Sequence, residues 1–231
     1  GAGMKLLAID TSTEACAVGV SADDRHYTRF ELTPRRHTEC VLPWSDELLQ
    51  QAGIAKRDLD AIAVGIGPGA FTGVRLAVSL AQGMALALEL PIVPVSTLAC
   101  IAQAQVHEGP IAVLMDARMG ECYAGFYRKT DGIVSAVAPE RLLKPEHISL
   151  PFAGDWIGVG SALSSYAAQL PPELMAAFQR IDAECLPQPE ALLQLAEYGF
   201  KHGAAVAPER IEPAYLRDKV ALTIEERTCL V

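Results

Sequence analysis

The sequence predicts an α/β protein built from two copies of one βββαβα unit, and three observations carry that prediction. Leu6-Leu7-Ala8-Ile9-Asp10 and Ala112-Val113-Leu114-Met115-Asp116 are both apolar strands that close on an aspartate. Six residues past each aspartate stands a cysteine (Cys16, Cys122), and three further on stands a glycine (Gly19, Gly125) inside the returning strand. Later in each copy an apolar strand ends in Gly-x-Gly, as Val64-Gly65-Ile66-Gly67-Pro68 and as Trp156-Ile157-Gly158-Val159-Gly160-Ser161. Self-similarity at matched spacing is the mark of an internal repeat.

Taken in order, residues 5–9 form a strand that ends at the turn formers Asp10-Thr11-Ser12-Thr13. Residues 15–21 return, and 26–32 make a third strand after Asp23-Asp24, which predicts an antiparallel meander. An amphipathic helix follows over 38–51 with Val41, Leu42, Leu48 and Leu49 as apolar members, and Gly53 closes it. Pro43 predicts that this helix starts there or bends in its first turn. Strand 60–66 leads into Gly65, Gly67 and Gly69 around Pro68, then helix 72–88, strand 92–95 and a helix from 97 to about 106. At 111 the pattern restarts. Its third strand is 133–137, a helical stretch after Gly160 runs to 168, and a helix over 190–202 precedes the charged tail Glu212-Pro213-Ala214-Tyr215-Leu216-Arg217. The expected organisation is one lobe over 4–106 and a second over 110–231 that includes the last helix and the tail.

Composition narrows the class. The chain has 231 residues, 51% of them hydrophobic, enough for one large domain or two modest ones. The apolar stretch 74–88 is interrupted by Arg75, Ser79, Gln82 and Gly83 and is expected to fall short of a membrane span. No secretory signal is expected, and Gly1-Ala2-Gly3 ahead of Met4 reads as a cloning remnant. Six scattered cysteines without a C-x-x-C pair read as reduced thiols of a cytoplasmic protein. A net charge of -9 repels phosphate backbones, which disfavours unaided binding of nucleic acid.

The glycine turn before helix 72–88 has the geometry of an anion site, where free amide N–H groups and the positive end of a helix dipole converge. It is neither a P-loop, which needs Lys-Ser or Lys-Thr after the glycines, nor a dinucleotide fingerprint. The alternative reading is that the glycines only let a helix turn closely off a sheet. Two facing halves would set Asp10, Gly65, Gly67, Gly69, Asp116, Gly158 and Gly160 around one cleft. That is the plan of the actin-like, sugar-kinase and Hsp70-like ATPase superfamily with its ribonuclease H-like lobes, here degenerate, in which the cleft holds a nucleotide and its metal. Each aspartate alone reads equally as a turn former. On helix 72–88, Gly73, Ala77, Ala81 and Ala85 make a ridge of small side chains opposite Leu76, Leu80 and Met84. One face packs on the sheet and the other is open to a second helix, unless helix 38–51 covers both.

Chemistry-bearing groups are sparse. The five histidines (His26, His37, His107, His147, His202) form no i, i+4 pair, no G-x-S-x-G frames a serine, and Cys100 and Cys122 sit in apolar contexts that keep a thiol protonated. The expected catalytic set and the expected metal set are both empty.

Met4-Lys5-Leu6-Leu7-Ala8-Ile9-Asp10-Thr11-Ser12-Thr13, the block Gly65-Ile66-Gly67-Pro68-Gly69-Ala70-Phe71-Thr72-Gly73-Val74-Arg75, Pro94-Val95-Ser96-Thr97-Leu98-Ala99, and the tail Glu212 to Arg217 resemble the TsaB (YeaZ) family. These are bacterial proteins of tRNA threonylcarbamoyladenosine biosynthesis and paralogues of the glycoprotease-like TsaD family. The resemblance implies a non-catalytic subunit that acts with a TsaD-type protein and a small TsaE-type ATPase. Together they place a threonylcarbamoyl group on the adenosine beside the anticodon of tRNAs reading codons that start with A. It also implies contact with tRNA only through the complex, no membrane, and a homodimer when isolated, paired through helices 38–51 and 72–88. Where TsaD-type proteins carry a metal-binding H-x-x-x-H, this chain has Thr97 and Ile101. No cofactor is expected to be required, with weak ATP or ADP binding in the cleft or at the complex interface left open. The alternatives are an autonomous kinase using Asp10 and Asp116 around ATP and magnesium, and a peptidase.

Overall fold

The structure is a computed structural model that describes residues 3–33 and 36–216. Arg217 and Cys229 lie outside the described residues. The first stretch forms β1 (Lys5–Asp10), β2 (Ala15–Ala22), β3 (Arg25–Leu32), α1 (His37–Ala52), β4 (Ala61–Gly65), α2 (Phe71–Leu88), β5 (Ile92–Val95) and α3 (Thr97–Gln103). The second forms β6 (Gly109–Asp116), β7 (Cys122–Thr130), β8 (Ile133–Ala136), β9 (Arg141–Leu143), β10 (Ile157–Val159), α4 (Ala162–Ser165), α5 (Pro172–Ala177), β11 (Arg180–Asp182) and α6 (Pro189–Lys201).

The duplication is real at the level of topology. One sheet runs β3-β2-β1-β4-β5, and the other runs β11-β10-β6-β7-β8, the same order read from the opposite edge. In each, the first strand pairs antiparallel with the second and parallel with the strand that leads into Gly-x-Gly, as Asp10↔Ala17 and Leu6↔Ala61 in one and Asp116↔Cys122 and Ile157↔Ile111 in the other. The second copy is reduced. Where the first copy has the 16-residue α1, the second has β9 and a single 3-10 turn, Pro145–His147.

Among the described residues two compact units result, one within 3–104 and 186–213, the other of 105–185 and 214–216. This corrects the expected boundary, which assigned the last helix to the second lobe. The reason is burial. Leu6, Ala8, Ala61 and Ala63 form one face of the first sheet, and Ala191, Leu192, Leu193 and Ala196 of α6 close over it. Gly19 makes room, since a Cβ there would lie 2.8 Å from Leu193. The alternate residues Leu7, Ile9, Ile62 and Val64 face α1 and α2. Helices on both faces explain why these strands read as continuous apolar runs.

Helix boundaries also depart from expectation. α1 begins at His37 and continues through Pro43, which lies on its exposed side and leaves the Glu39 carbonyl without its usual helical donor. Gly53 caps it at φ 70, with its N–H on the Gln50 carbonyl, as expected. α2 is long and apolar enough to cross a membrane by length and composition, contrary to the reading from its polar interruptions. Here Val74, Ala77, Val78, Ala81 and Ala85 pack it into the core instead.

α6 is tied to the sheet by a charged clasp. Glu197 Oε1 accepts from Ser21 Oγ (2.7 Å) and from the His26 ring. The Glu197 hydrogen bond outweighs burial and raises the His26 pKa. Partial burial works against the Glu197 charge, but the His26 and Ser21 bonds outweigh it and hold that carboxyl low. The His26 contribution is therefore complete below its ordinary value and lost as pH rises through the raised one; that of Glu197 is complete above its ordinary value and lost as pH falls. Urea midpoints should peak between about pH 4.5 and 6.5, and His26→Gln should flatten the alkaline decline. An unchanged decline in that variant refutes the clasp.

Candidate functional site

Asp10, the last residue of β1, is fully buried. Its Oδ1 accepts from the Ser12 N–H (2.9 Å) and lies 2.5 Å from Ser12 Oγ, and its Oδ2 lies 2.9 Å from Thr97 Oγ1. Ser12 Oγ lies 2.8 Å from Thr97 Oγ1, which also accepts from the Gly67 N–H at 3.1 Å. Four segments thus meet at one carboxyl: β1, the turn after it, the glycine loop and the start of α3. Burial raises the Asp10 pKa, against the Ser12 and Thr97 hydrogen bonds and the charge of His37.

The glycines serve this junction. A Cβ on Gly65 would stand 1.8 Å from Asp10 Oδ2, one on Gly69 2.3 Å from the Ser12 carbonyl, and one on Gly73 2.1 Å from the Thr11 carbonyl. Thr11 Oγ1 donates to the Gly73 carbonyl (2.6 Å), and the Ala70 N–H donates to that of Ser12 (2.8 Å). The loop therefore lies directly on the β1–β2 turn. Two of the amides offered for an anion, on Gly67 and Ala70, are already occupied. The geometry shows the close packing of a helix off a sheet that the second sequence reading describes.

The second glycine turn is packed in the same manner. A Cβ on Gly158 would meet the Phe178 ring at 2.7 Å and one on Gly160 the Leu114 carbonyl at 2.3 Å, while the Gly160 N–H donates to Asp182 (2.9 Å). Asp116 differs from its counterpart. It is half-buried, and its Oδ1 accepts from the Arg118 N–H (2.8 Å) and the Tyr166 hydroxyl (2.9 Å). Desolvation opposes its charge, but these bonds win and hold the carboxyl below its usual range. Asp10 and Asp116 lie in different units, and their surroundings push their carboxyls in opposite directions.

The interface residues expected from the sequence sort into two groups. Val41, Leu48, Leu49, Ala77, Ala81 and Ala85 are at most 4% exposed and belong to the core. Gly73 is half-buried against Thr11, and Leu42 alone is exposed, at 43%. The small ridge faces inward because Ala at every fourth position lets α2 sit close on the sheet. A second small ridge, which periodicity alone did not separate from the first, points outward: Ser79, Gly83 and Ala87, flanked by Leu86 and Phe71. A Cβ on Gly83 would meet nothing within 4 Å. Glycine inside an exposed helix costs about 1 kcal/mol relative to alanine, so this unit's own packing gives no reason for it.

The family model described as TsaD: tRNA N6-adenosine threonylcarbamoyltransferase matches residues 30–223. The tRNA threonylcarbamoyladenosine biosynthesis protein TsaB of Escherichia coli (strain K12) is 41% identical over 228 residues, covering 94% of this chain and 96% of that protein. The chain belongs to the TsaB family. The Haemophilus influenzae TsaB is 33% identical, with 94% of this chain and 95% of that protein covered. A solved structure described as YeaZ from Pseudomonas aeruginosa matches with a TM-score of 0.87 at 40% identity, over 92% of this chain and all of that one.

Within the TsaB family chain, the two positions that the resemblance assigns to a metal in TsaD-type proteins do not fit one. Ile101 is an apolar residue 1% exposed, and the Thr97 hydroxyl is committed to Asp10, Ser12 and Gly67. Among the described residues no group of three or more His, Cys, Asp and Glu side chains could hold a metal ion. Burial pushes the Cys100 thiol well above its ordinary value and that of Cys122 to about 12, so neither is a nucleophile at neutral pH.

Proposed function

We propose that this chain is the non-catalytic, partner-holding subunit of a tRNA threonylcarbamoyl transfer system. The observation that carries the reading is the state of the first glycine loop: the buried Asp10 carboxyl is taken up by Ser12 and Thr97, and the Gly67 and Ala70 amides by Thr97 Oγ1 and the Ser12 carbonyl. Positioned groups without a general base, nucleophile or metal pair contribute little rate enhancement. The relatives are named for threonylcarbamoyladenosine biosynthesis in tRNA, and the resemblance supplies the partners, a TsaD-type protein and a TsaE-type ATPase. The net charge of -9 leaves tRNA to be gripped through the complex. The outward face of α2 is the surface offered to a TsaD-type helix, and to a second copy of this chain when it is alone. The chain requires no cofactor of its own and works in the cytoplasm.

The test is incorporation of labelled threonine into tRNA by the purified proteins with ATP. Omitting this chain should reduce incorporation to background, and the chain alone should turn over no ATP. ATP hydrolysis by the chain alone that Asp116→Ala abolishes would establish the kinase reading instead.

A further inference from the structure

Asp10, Ser12 and Thr97 pose a problem of counting. Three oxygen–oxygen contacts close a ring: Asp10 Oδ1 to Ser12 Oγ at 2.5 Å, Ser12 Oγ to Thr97 Oγ1 at 2.8 Å, and Thr97 Oγ1 to Asp10 Oδ2 at 2.9 Å. Each contact needs one hydrogen. The two hydroxyls supply two, because Ser and Thr each carry a single O–H. With an ionised carboxylate, one contact sets lone pair against lone pair. All three side chains are at most 1% exposed, so no bulk water relieves it.

We propose that Asp10 holds a proton in the folded protein at neutral pH, so that a proton occupies the place where the superfamily's cleft carboxylate would face a cation. The third hydrogen completes the ring in one sense. Asp10 Oδ2–H donates to Thr97 Oγ1, Thr97 Oγ1–H to Ser12 Oγ, and Ser12 Oγ–H to Asp10 Oδ1. Every remaining donor then has an acceptor: the Ser12 N–H takes the second lone pair of Oδ1, and the Gly67 N–H that of Thr97 Oγ1. Among the described residues, the titratable groups that act on or feel Asp10 are His37 of α1, Cys16 of β2 and Cys100 of α3. Both thiols are held protonated and neutral. His37 is the one basic side chain among them, and its ring is anchored on the Ala15 carbonyl at 3.1 Å and not on Asp10. A buried carboxyl with no paired cation and a shortage of donors is stable as the acid.

The consequence is a neutral polar hub joining β1, the glycine loop and α3, with no charge left for a magnesium–nucleotide. Two measurements test it on the full chain. Selective 13C-carboxyl labelling of aspartate, assigned with Asp10→Asn, should show one buried resonance at the protonated position at pH 7. The ratio of the folding equilibrium constants of the parent and Asp10→Asn should fall about tenfold per pH unit above about pH 4 until the folded state releases its proton. The sign follows because the unfolded carboxyl ionises first. A resonance at the ionised position at pH 7 together with a constant ratio from pH 5 to 8 would overturn the proposal. Should Asp10→Asn not fold, Asp10→Glu serves for assignment and the resonance decides alone.

Discussion

Gly65→Ala is expected to be among the most damaging single-methyl changes in the chain. The added carbon would lie 1.8 Å from Asp10 Oδ2, and 2.5 Å from its Cγ, so the carboxyl has to move. Overpacking costs about 1–3 kcal/mol, and each buried hydrogen bond broken with its partner left unsatisfied costs about 1–3 kcal/mol more. Displacing Asp10 strands the Ser12 N–H and breaks the contacts of its carboxyl with both Ser12 Oγ and Thr97 Oγ1. A loss of roughly 3–5 kcal/mol follows, a large share of the 5–15 kcal/mol that holds a typical domain. Asp10→Ala should cost about 2–4 kcal/mol by the same loss of partners without the overpacking. Urea unfolding reads both, with Gly83→Ala, which meets no atom within 4 Å, as the control. A Gly65→Ala midpoint equal to that control would mean that the glycine loop does not lie on β1 as described.

Gly83→Arg should leave the monomer folded and remove its assembly. The side chain enters open space on the outward face of α2, so the unit that carries it loses no contact. A long cationic group in the centre of a close helix–helix contact forces the backbones apart and buries an unpaired charge. The docking equilibrium should weaken at least about 100-fold, or about 2.8 kcal/mol. In light scattering at micromolar concentration the parent should be a dimer and Gly83→Arg a monomer with an unchanged circular dichroism spectrum. In the reconstituted system its threonine incorporation should fall to background. Ala77→Arg and Ala81→Arg are not equivalent tests, since both positions are fully buried and their loss of function would report unfolding. Full activity of Gly83→Arg, or a parent that is monomeric, rules this face out as the docking surface.

Much of the fold was legible in order along the chain. Strand periodicity, turn formers and the matched spacing of Asp10, Cys16, Gly19 with Asp116, Cys122, Gly125 determined two meanders and a duplicated topology, because these are local signals repeated twice. The motif residues also determined the family, since the Gly-Pro-Gly-Ala-Phe-Thr-Gly-Val-Arg block is a specific string rather than a pattern. What only the tertiary structure decided depends on which surface meets which. α6 belongs to the first unit because the exposed side of β1 and β4 needed an apolar cover, and nothing local to residues 189–201 says where that cover goes. The direction of α2 was undetermined because two small ridges, 73-77-81-85 and 79-83-87, share the same period on one helix, and only contact with the sheet distinguishes them. Asp10 and Asp116 look alike in sequence, yet one is sealed among hydroxyls contributed from residue 97 and the other stays half-open. Charge is set by burial and by distant partners, and spacing along the chain carries neither.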